Sequence, residues 1–298
     1  MALPFPHPSA LLPPGLTMSR CTPADVSGMT SACLTRNFAF ISSLAISRRE
    51  KSYLHSTVDQ SLLSPLVTSV ALAWNTIMKA FPAGSAFTYW WSPSLDVMKK
   101  WHDDRIRGRF ADPHTQQFKV VDETTGAVVA FAKWDPPATM KGLRGGFVTY
   151  DEHGEVAKQQ AGEGRGGGEG GAEGKAKVMT QKLQAPEGSK EGLYEDFFAR
   201  LKKMGEKWQT DEKLVLSIIC TDPAYHGRGV GSGLIQSVLD VADAEGITTY
   251  LEALPLAVPL YRRHGFVPVD RLEYDLTKAG MEGTAVLTIM VREPKATA

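Results

Sequence analysis

The sequence is poor in cysteine. Three cysteines, Cys21, Cys33 and Cys220, stand among 298 residues, and their wide spacing excludes a Cys-x-x-Cys metal site and a disulfide framework. We therefore expect free thiols in a reducing, cytoplasmic compartment, and no metal cofactor.

The sequence also lacks net charge and long apolar runs. Lysine plus arginine total 33, as do aspartate plus glutamate, so the formal net charge is zero. A protein held on nucleic acid by its overall charge needs a basic face, so no nucleic-acid partner is expected. No apolar run reaches the ~18 residues of a transmembrane helix, so no membrane partner is expected either.

The first 17 residues contain five prolines and no lysine or arginine. A secretory signal needs a basic start and a mitochondrial presequence needs arginines, so neither is indicated. We interpret residues 1–17 as a flexible leader, with Met18 as a candidate functional start.

Two further segments interrupt the pattern of a folded domain. Residues 33–75 show no helical or strand period, and we interpret them as an irregular insertion foreign to the fold. Residues 151–189 include nine glycines between Gly154 and Gly174, mixed with charged residues. This composition predicts a disordered Gly/Glu-rich loop, because few apolar side chains are present to order it.

The remaining chain alternates strand and helix patterns. Apolar periodicity predicts helices over 92–109 and 191–208, a hairpin over 118–134 and a strand over 213–221. A glycine-rich turn and a helix follow, then a strand at 248–253, a short helix at 257–264 and a strand at 285–291. The pattern is typical of one α/β domain.

The second concentration of glycine, from Tyr225 to Gly233, lies between a strand and a helix. Such a junction offers unpaired backbone N–H groups and the positive end of the helix dipole, which favour a pyrophosphate. A dinucleotide fingerprint G-x-G-x-x-G fails here, since its last position is Ser232 or Leu234. Glu252 lies about 20 residues on, where a ribose-binding acid belongs, so a dinucleotide-dependent oxidoreductase stays as a weaker alternative.

The segment LSIICTDPAYHGRGVGSGLIQSVL resembles motif A of the GNAT superfamily of acyl-CoA-dependent N-acetyltransferases. Its Q/R-x-x-G-x-G/A core is met from His226 to Gly231, with histidine at the first position. YLEALPLAVPLYRRHGFVPVD is similar to motif B, and Met18–Ser31, FPAGSAF and VVAFAKW are similar to a fungal-type branch. The resemblance implies an α/β GNAT fold over 18–298: a mixed, mostly antiparallel sheet, splayed between two parallel strands and flanked by helices.

The resemblance also implies acetyl-CoA as cosubstrate and assigns roles to its binding residues. Backbone groups of Ile219, Cys220 and Thr221 would bind the pantetheine arm. Amides of the turn would hold the pyrophosphate: Gly227, Arg228, Gly229, Val230, Gly231 and Ser232. Tyr261 would protonate the leaving thiolate, and a phenol of pKa near 10 suits a thiolate whose conjugate acid is near 8.5.

The amine acceptor must lose a proton before it attacks the thioester, and several residues are candidates for the general base. Glu252 is a candidate base or a carboxylate that lines the acceptor site, and Ser217, Asp222 and His264 are weaker candidates. Covalent catalysis through Cys220 is disfavoured because the family transfers the acyl group directly in a ternary complex. Trp134 and the pair Trp90–Trp91 either line the acceptor pocket or pack in the core.

The resulting functional hypothesis is acetyl transfer to a primary amine of a small molecule or peptide. A non-catalytic CoA-binding module is the main alternative. A small amine, a polyamine, a drug-like toxin and a protein N-terminus all remain open as acceptor, and so does the oligomeric state.

Overall fold

A computed structural model describes residues 11–27, 29, 89–112, 115–143, 149–150 and 184–296. The predicted insertion 33–75 lies outside the described residues, as does the part of the predicted Gly/Glu-rich loop between 151 and 183. The FPAGSAF segment also lies outside them.

The centre of the fold is a seven-stranded sheet in the order β1-β2-β3-β4-β5-β7-β6. Its strands are β1 (Leu16–Arg20), β2 (Gln116–Asp122), β3 (Val128–Asp135), β4 (Leu214–Thr221), β5 (Thr249–Ala253), β6 (Val267–Asp275) and β7 (Thr284–Arg292). The pair β4–β5 is parallel and all other neighbours are antiparallel. The predicted mixed, mostly antiparallel sheet is confirmed.

The two parallel strands separate after three residue pairs. Leu214, Val215 and Leu216 of β4 pair with Thr249, Tyr250 and Leu251 of β5. Beyond this point β4 stays paired only with β3, and β5 stays paired with β7. The carboxyl halves of β4 and β5 therefore present facing edges with a gap between them.

Helices cover both faces of the sheet: α1 (Leu95–Gly108), α2 (Glu191–Lys207), α3 (Val230–Ala244) and α4 (Val258–Arg263). Successive strand residues point to opposite faces. Accordingly, Leu251 belongs to a core cluster with α3 and α4, whereas its neighbour Tyr250 belongs to a second cluster with α2. Both side chains are 1% exposed or less.

The N-terminal segment requires a correction. The expected leader boundary at residue 17 falls inside β1, and Leu12 and Leu16 are buried in the main core. A Cβ placed on Gly233 would lie 2.4 Å from the carbonyl oxygen of Leu11 and 2.9 Å from Leu12 Cδ2. Residues 11–17 thus belong to the packed domain, because a glycine on α3 leaves room for them.

Candidate functional site

The glycine-rich turn between β4 and α3 depends on two residues in the left-handed region. Gly227 has φ +73° and Gly229, the N-cap of α3, has φ +84°, a region where side chains are strained. The amide of Gly233 donates to the carbonyl of Gly229 at 2.8 Å and begins the α3 ladder. The amides of 230–232 precede that bond, so they have no partner within the helix and are available to an anion.

Residues 230–232 line a cavity of about 630 Å³, which we call the glycine cavity. It is lined by Thr221, Tyr225, His226, Gly227, Gly229, Val230, Gly231, Ser232, Leu256, Pro259, Leu260 and Arg263. Six of the nine residues proposed to bind cofactor line it. Arg263 was not anticipated from sequence, and it adds a positive charge beside the turn.

The other three proposed residues lie elsewhere. The guanidinium of Arg228 lies 4.7 Å above the Tyr225 ring and is absent from the cavity lining. Cys220 is 3% exposed, in a cluster with Cys21 and Phe131. Ile219 lines a second cavity, described below.

The histidine that departs from the motif has a structural role in the turn. His226 Nε2 lies 2.8 Å from the carbonyl oxygen of Thr221, an acceptor, so the ring nitrogen donates. This bond holds the entrance of the turn against the end of β4. The carbonyl of Thr221, one of the backbone groups expected to bind the pantetheine arm, thus already accepts a hydrogen bond from His226.

A second space, the aromatic cavity, has a volume of about 290 Å³. It brings together Tyr261, Glu252 and Ile219, three residues singled out from sequence. Its other lining residues are Trp90, Trp91, Trp101, His102, Arg105, Phe197, Phe198, Leu201, Leu216, Ser217, Ile218, Leu254, Ala257 and Leu287. The proposed acid and the proposed base thus line the same cavity.

Tyr261 lies on α4 and is 5% exposed. Its ring packs edge-on against Phe266 with centroids 5.9 Å apart. Burial raises the pKa of the Tyr261 phenol above its ordinary value, since charged phenolate is poorly solvated there. The hydroxyl is therefore protonated at neutral pH, and it is a weaker acid than an exposed phenol.

Glu252 lies on β5 at the border between the aromatic cavity and a third space of about 670 Å³, the charged cavity. Burial raises the pKa of the Glu252 carboxyl above its ordinary value. A carboxylate whose proton affinity is raised in this way is a better base than an exposed one.

Two elements, β4 and α4, contribute residues to both the glycine cavity and the aromatic cavity. Along β4, Ile219 lines the aromatic cavity and Thr221 lines the glycine cavity. On and next to α4, Ala257 and Tyr261 line the aromatic cavity. Pro259, Leu260 and Arg263 of the same helix line the glycine cavity. Two residues that are two positions apart on β4 thus line different cavities, one with the glycine turn and one with Tyr261 and Glu252.

Several aromatic residues of the site were missed by sequence reasoning. Trp101 and Phe197 fall on apolar helical stripes of α1 and α2, which predict core packing, and the structure places them on a cavity wall. Trp90 and Trp91 also line that wall, but Trp134 is fully buried in the main core. Ser217, a weaker candidate for the general base, donates its hydroxyl hydrogen bond to the carboxylate of Asp135.

Among the described residues, no cluster of three or more histidine, cysteine, aspartate or glutamate side chains is placed to hold a metal ion. Over the same residues, no helix has both the length and the apolar character needed to cross a bilayer.

Comparisons with known proteins define the class of this fold. Residues 198–268, which run from α2 through the glycine turn to β6, match the family model described as an acetyltransferase (GNAT) domain. The matched segment is similar to a GNAT acetyltransferase domain, and the mixed seven-stranded sheet flanked by helices agrees with the GNAT fold. No curated protein sequence matches the chain.

Solved structures similar to the chain carry related names. A Corynebacterium glutamicum structure named histone acetyltransferase HPA2 and related acetyltransferase is 16% identical, covers 95% of this chain and 99% of its own, and has a TM-score of 0.45. Ribosomal-protein-S18-alanine N-acetyltransferase from Escherichia coli is 13% identical over 95% and 96%, with a TM-score of 0.40. A GCN5-related N-acetyltransferase from Kribbella flavida is 14% identical over 94% and 98%, with a TM-score of 0.41.

Proposed function

We propose that the protein is an acetyl-CoA-dependent N-acetyltransferase that acts on a primary amine by direct attack within a ternary complex. The observation that carries this proposal is that β4 and α4 each contribute residues to both cavities. The glycine turn lines one cavity, and Tyr261 and Glu252 line the other.

The residues present fit coenzyme A in charge and shape. The pyrophosphate suits the amides of 230–232 and the guanidinium of Arg263. A Cβ on Gly231 would lie 3.5 Å from Thr221 Oγ1, so a longer side chain there would occupy the cradle. The facing edge of β4 offers backbone groups to an extended arm, as a sheet edge does to an added strand.

Bound acetyl-CoA would supply a thioester carbonyl as electrophile and a thiolate as leaving group. Glu252 would attract the ammonium of the acceptor and take its proton before or during attack. Tyr261 would donate its hydroxyl proton to the departing sulfur. With the substrates bound, the surrounding aromatic side chains would limit the access of water, which would strengthen both electrostatic interactions.

Two finer features belong to the same proposal. The resemblance of Met18–Ser31 and VVAFAKW to a fungal-type branch supports an assignment to that branch. Cys21 and Cys220 are buried thiols that form no disulfide, which agrees with a reducing, cytoplasmic compartment.

Calorimetric titration with acetyl-CoA and with NADPH tests the proposal. We expect binding of acetyl-CoA and none of NADPH. Gly231→Glu should abolish acetyl-CoA binding, because its carboxylate would enter the anion cradle. Gly192→Glu, at an open position on α2, is the matched control and should bind normally. Preferential binding of NADPH would contradict the proposal. Binding of acetyl-CoA without release of CoA in the presence of any amine tested would indicate a non-catalytic module.

A further inference from the structure

Four side chains join α3 to α4 by hydrogen bonds beside the glycine cavity, and we call them the His264 network. Ser232, Gln236 and Asp240 are spaced four residues apart on α3, so they lie on one face of that helix. The ring of His264, the C-cap of α4, contacts the first two. Its Nε2 lies 2.8 Å from Ser232 Oγ and its Nδ1 lies 3.1 Å from Gln236 Oε1. Gln236 Nε2 in turn lies 2.6 Å from Asp240 Oδ1.

The direction of each hydrogen bond in the network follows from its carboxylate end. A carboxylate only accepts, so the amide of Gln236 turns its NH₂ group to Asp240. The amide oxygen of Gln236 then faces Nδ1 of His264, and an oxygen acceptor requires a proton on that nitrogen. The network therefore determines which ring nitrogen of His264 is protonated.

The neutral His264 ring makes the Ser232 hydroxyl a donor. The pKa of His264 is lowered by burial first and then by three neighbouring cations, Arg263, Arg292 and Lys295. The ring therefore carries one proton at pH 7. Because this proton is on Nδ1, Nε2 accepts the hydrogen bond of the Ser232 hydroxyl. An anion in the glycine cavity would then receive a hydrogen bond from the Ser232 amide but not from its hydroxyl.

A second proton on His264 would reverse the bond to Ser232. Both nitrogens of an imidazolium ring are donors, so Nε2–H would donate to the hydroxyl oxygen while Nδ1–H kept its bond to Gln236. Since Ser232 lines the glycine cavity, its hydroxyl proton could then be donated to an anion there. His264 itself is not a lining residue of the glycine cavity or the aromatic cavity, so it acts through Ser232.

The charges around His264 favour coupling between an anion and this proton. They come from α3, α4, β7 and the residues after β7: Asp240, Asp243, Arg263, Arg292 and Lys295. Asp243 is already paired with Arg292. An anion in the glycine cavity, beside Ser232 and Arg263, would offset the positive charges that disfavour imidazolium. Anion binding and protonation of His264 should therefore favour each other by the same factor.

We propose that His264 is a positioning residue that links acetyl-CoA binding to proton uptake. Unprotonated, it holds the Ser232 hydroxyl proton away from the anion cradle, and protonated, it releases that proton to the pyrophosphate. The inference rests on the proposed function. It adds a residue outside both cavities that controls how the cosubstrate is held.

Nuclear magnetic resonance tests the tautomer on the free protein. Two-bond ¹H–¹⁵N spectra distinguish a protonated from an unprotonated ring nitrogen, and the signals missing from His264→Gln assign those of His264. At pH 8 we expect Nδ1 to be protonated and Nε2 to be unprotonated. A ring protonated on Nε2 would overturn the inference, because the Ser232 hydroxyl would then be an acceptor without any proton uptake.

Calorimetric titration with acetyl-CoA between pH 8 and pH 6 tests the link to binding. The phosphates of acetyl-CoA titrate alike against every variant, so comparison with His264→Gln removes their contribution. As pH falls, the affinity of the wild type should rise by about threefold or more relative to that of His264→Gln. Ser232→Ala keeps the histidine and the backbone amide but removes the hydroxyl, so its rise should be smaller than in the wild type.

Gln236→Glu tests the direction of the effect. A carboxylate facing Nδ1 stabilises imidazolium, so the rise in affinity should begin at a higher pH than in the wild type. Gly192→Glu adds the same charge at an open position on α2 and should follow the wild type. Thermal unfolding at each pH shows that each variant is folded.

The outcomes separate the two levels of the argument. Failure to bind acetyl-CoA at any pH overturns the proposed function and this inference with it. Binding with the same pH profile in the wild type and His264→Gln overturns the inference alone. The same holds if Ser232→Ala rises as much as the wild type, or if Gln236→Glu follows Gly192→Glu.

Discussion

The hydroxyl oxygen of Ser232 lies 2.8 Å from Nε2 of His264, and this contact joins the first turn of α3 to the end of α4. The second ring nitrogen, Nδ1, lies 3.1 Å from Oε1 of Gln236, one turn further along α3. Burial, followed by the charges of Arg263 and other cations, lowers the pKa of His264, so the ring is neutral at pH 7. The two helices that line the glycine cavity are thereby linked through one side chain.

A double-mutant cycle measures this link. Ser232→Ala and His264→Phe should each lower the free energy of unfolding, and their coupling energy should be about 1 kcal/mol, the usual net value of one hydrogen bond. Urea denaturation of the wild type, both single variants and the double variant provides the values. Additive effects would mean that the contact contributes nothing.

Tyr261→Phe should lower kcat by about 10²-fold, because loss of the hydroxyl removes the proton donor while the ring still packs on Phe266. The affinity for acetyl-CoA should change little. Tyr194→Phe removes a hydroxyl from a buried tyrosine outside both cavities and serves as the control. An unchanged kcat in Tyr261→Phe would exclude this tyrosine as the acid.

His102 makes stability depend on pH. Its pKa is about 3 in the folded state against 6.5 in the unfolded chain, so the unfolded chain binds the proton first as pH falls. Stability is therefore complete above pH 6.5 and is lost below it, by about 2 kcal/mol between pH 7 and pH 5.

His102→Phe isolates that contribution, since the phenyl ring keeps the packing against Trp91 and Trp101. Urea denaturation at pH 7 and pH 5 should show a loss about 2 kcal/mol smaller in the variant than in the wild type. Equal losses in the two proteins would show that His102 is not the group responsible.

Gly233→Ala should destabilise the fold by ~1–3 kcal/mol, because its methyl group would collide with the backbone of Leu11. Gly192→Ala introduces the same group on α2, where nothing lies within 4 Å, and should not destabilise. Thermal or urea denaturation compares the pair. If Gly233→Ala is as stable as Gly192→Ala, residues 11 and 12 do not pack on α3.

Asp243→Asn should cost about 3–5 kcal/mol, since it leaves a buried guanidinium without its counter-charge. Arg292 donates to both carboxylate oxygens of Asp243 at 2.6 Å, and its side chain is 1% exposed. Asp104→Asn breaks an exposed pair with Lys100 and should change the free energy of unfolding little. A small effect of Asp243→Asn would mean that Arg292 is stabilised by other contacts.

The parts of the site that the sequence predicts are those with local causes. Positive φ at Gly227 and Gly229 and the N-terminus of α3 are properties of a few consecutive residues, so a strand, a glycine turn and a helix identify the anion cradle. Apolar runs of strand-forming residues likewise predict β4 and β5. His226 stands where the motif has Gln or Arg, and the turn is still formed because the His226 ring donates to the carbonyl of Thr221, five residues earlier.

The parts that the sequence does not predict depend on distant contacts. An apolar stripe containing Trp101 or Phe197 looks the same whether it faces a packed core or a cavity. The guanidinium of Arg105 lies near Trp101 of α1 and Phe198 of α2, and no local sequence pattern indicates that these residues meet. The proline-rich start of the chain suggests flexibility, and only Gly233, more than 200 residues away, shows why Leu12 is buried.

The short parallel contact between β4 and β5 has a consequence for the dynamics of the sheet. Backbone hydrogen bonding across this seam spans the three residue pairs that begin at Leu214 and Thr249. The strands on either side, β1-β2-β3-β4 and β5-β7-β6, are each continuous ladders. Amide hydrogen exchange should therefore resolve two cooperative units with separate opening free energies, and a ligand that bridges the gap should raise the protection of both together.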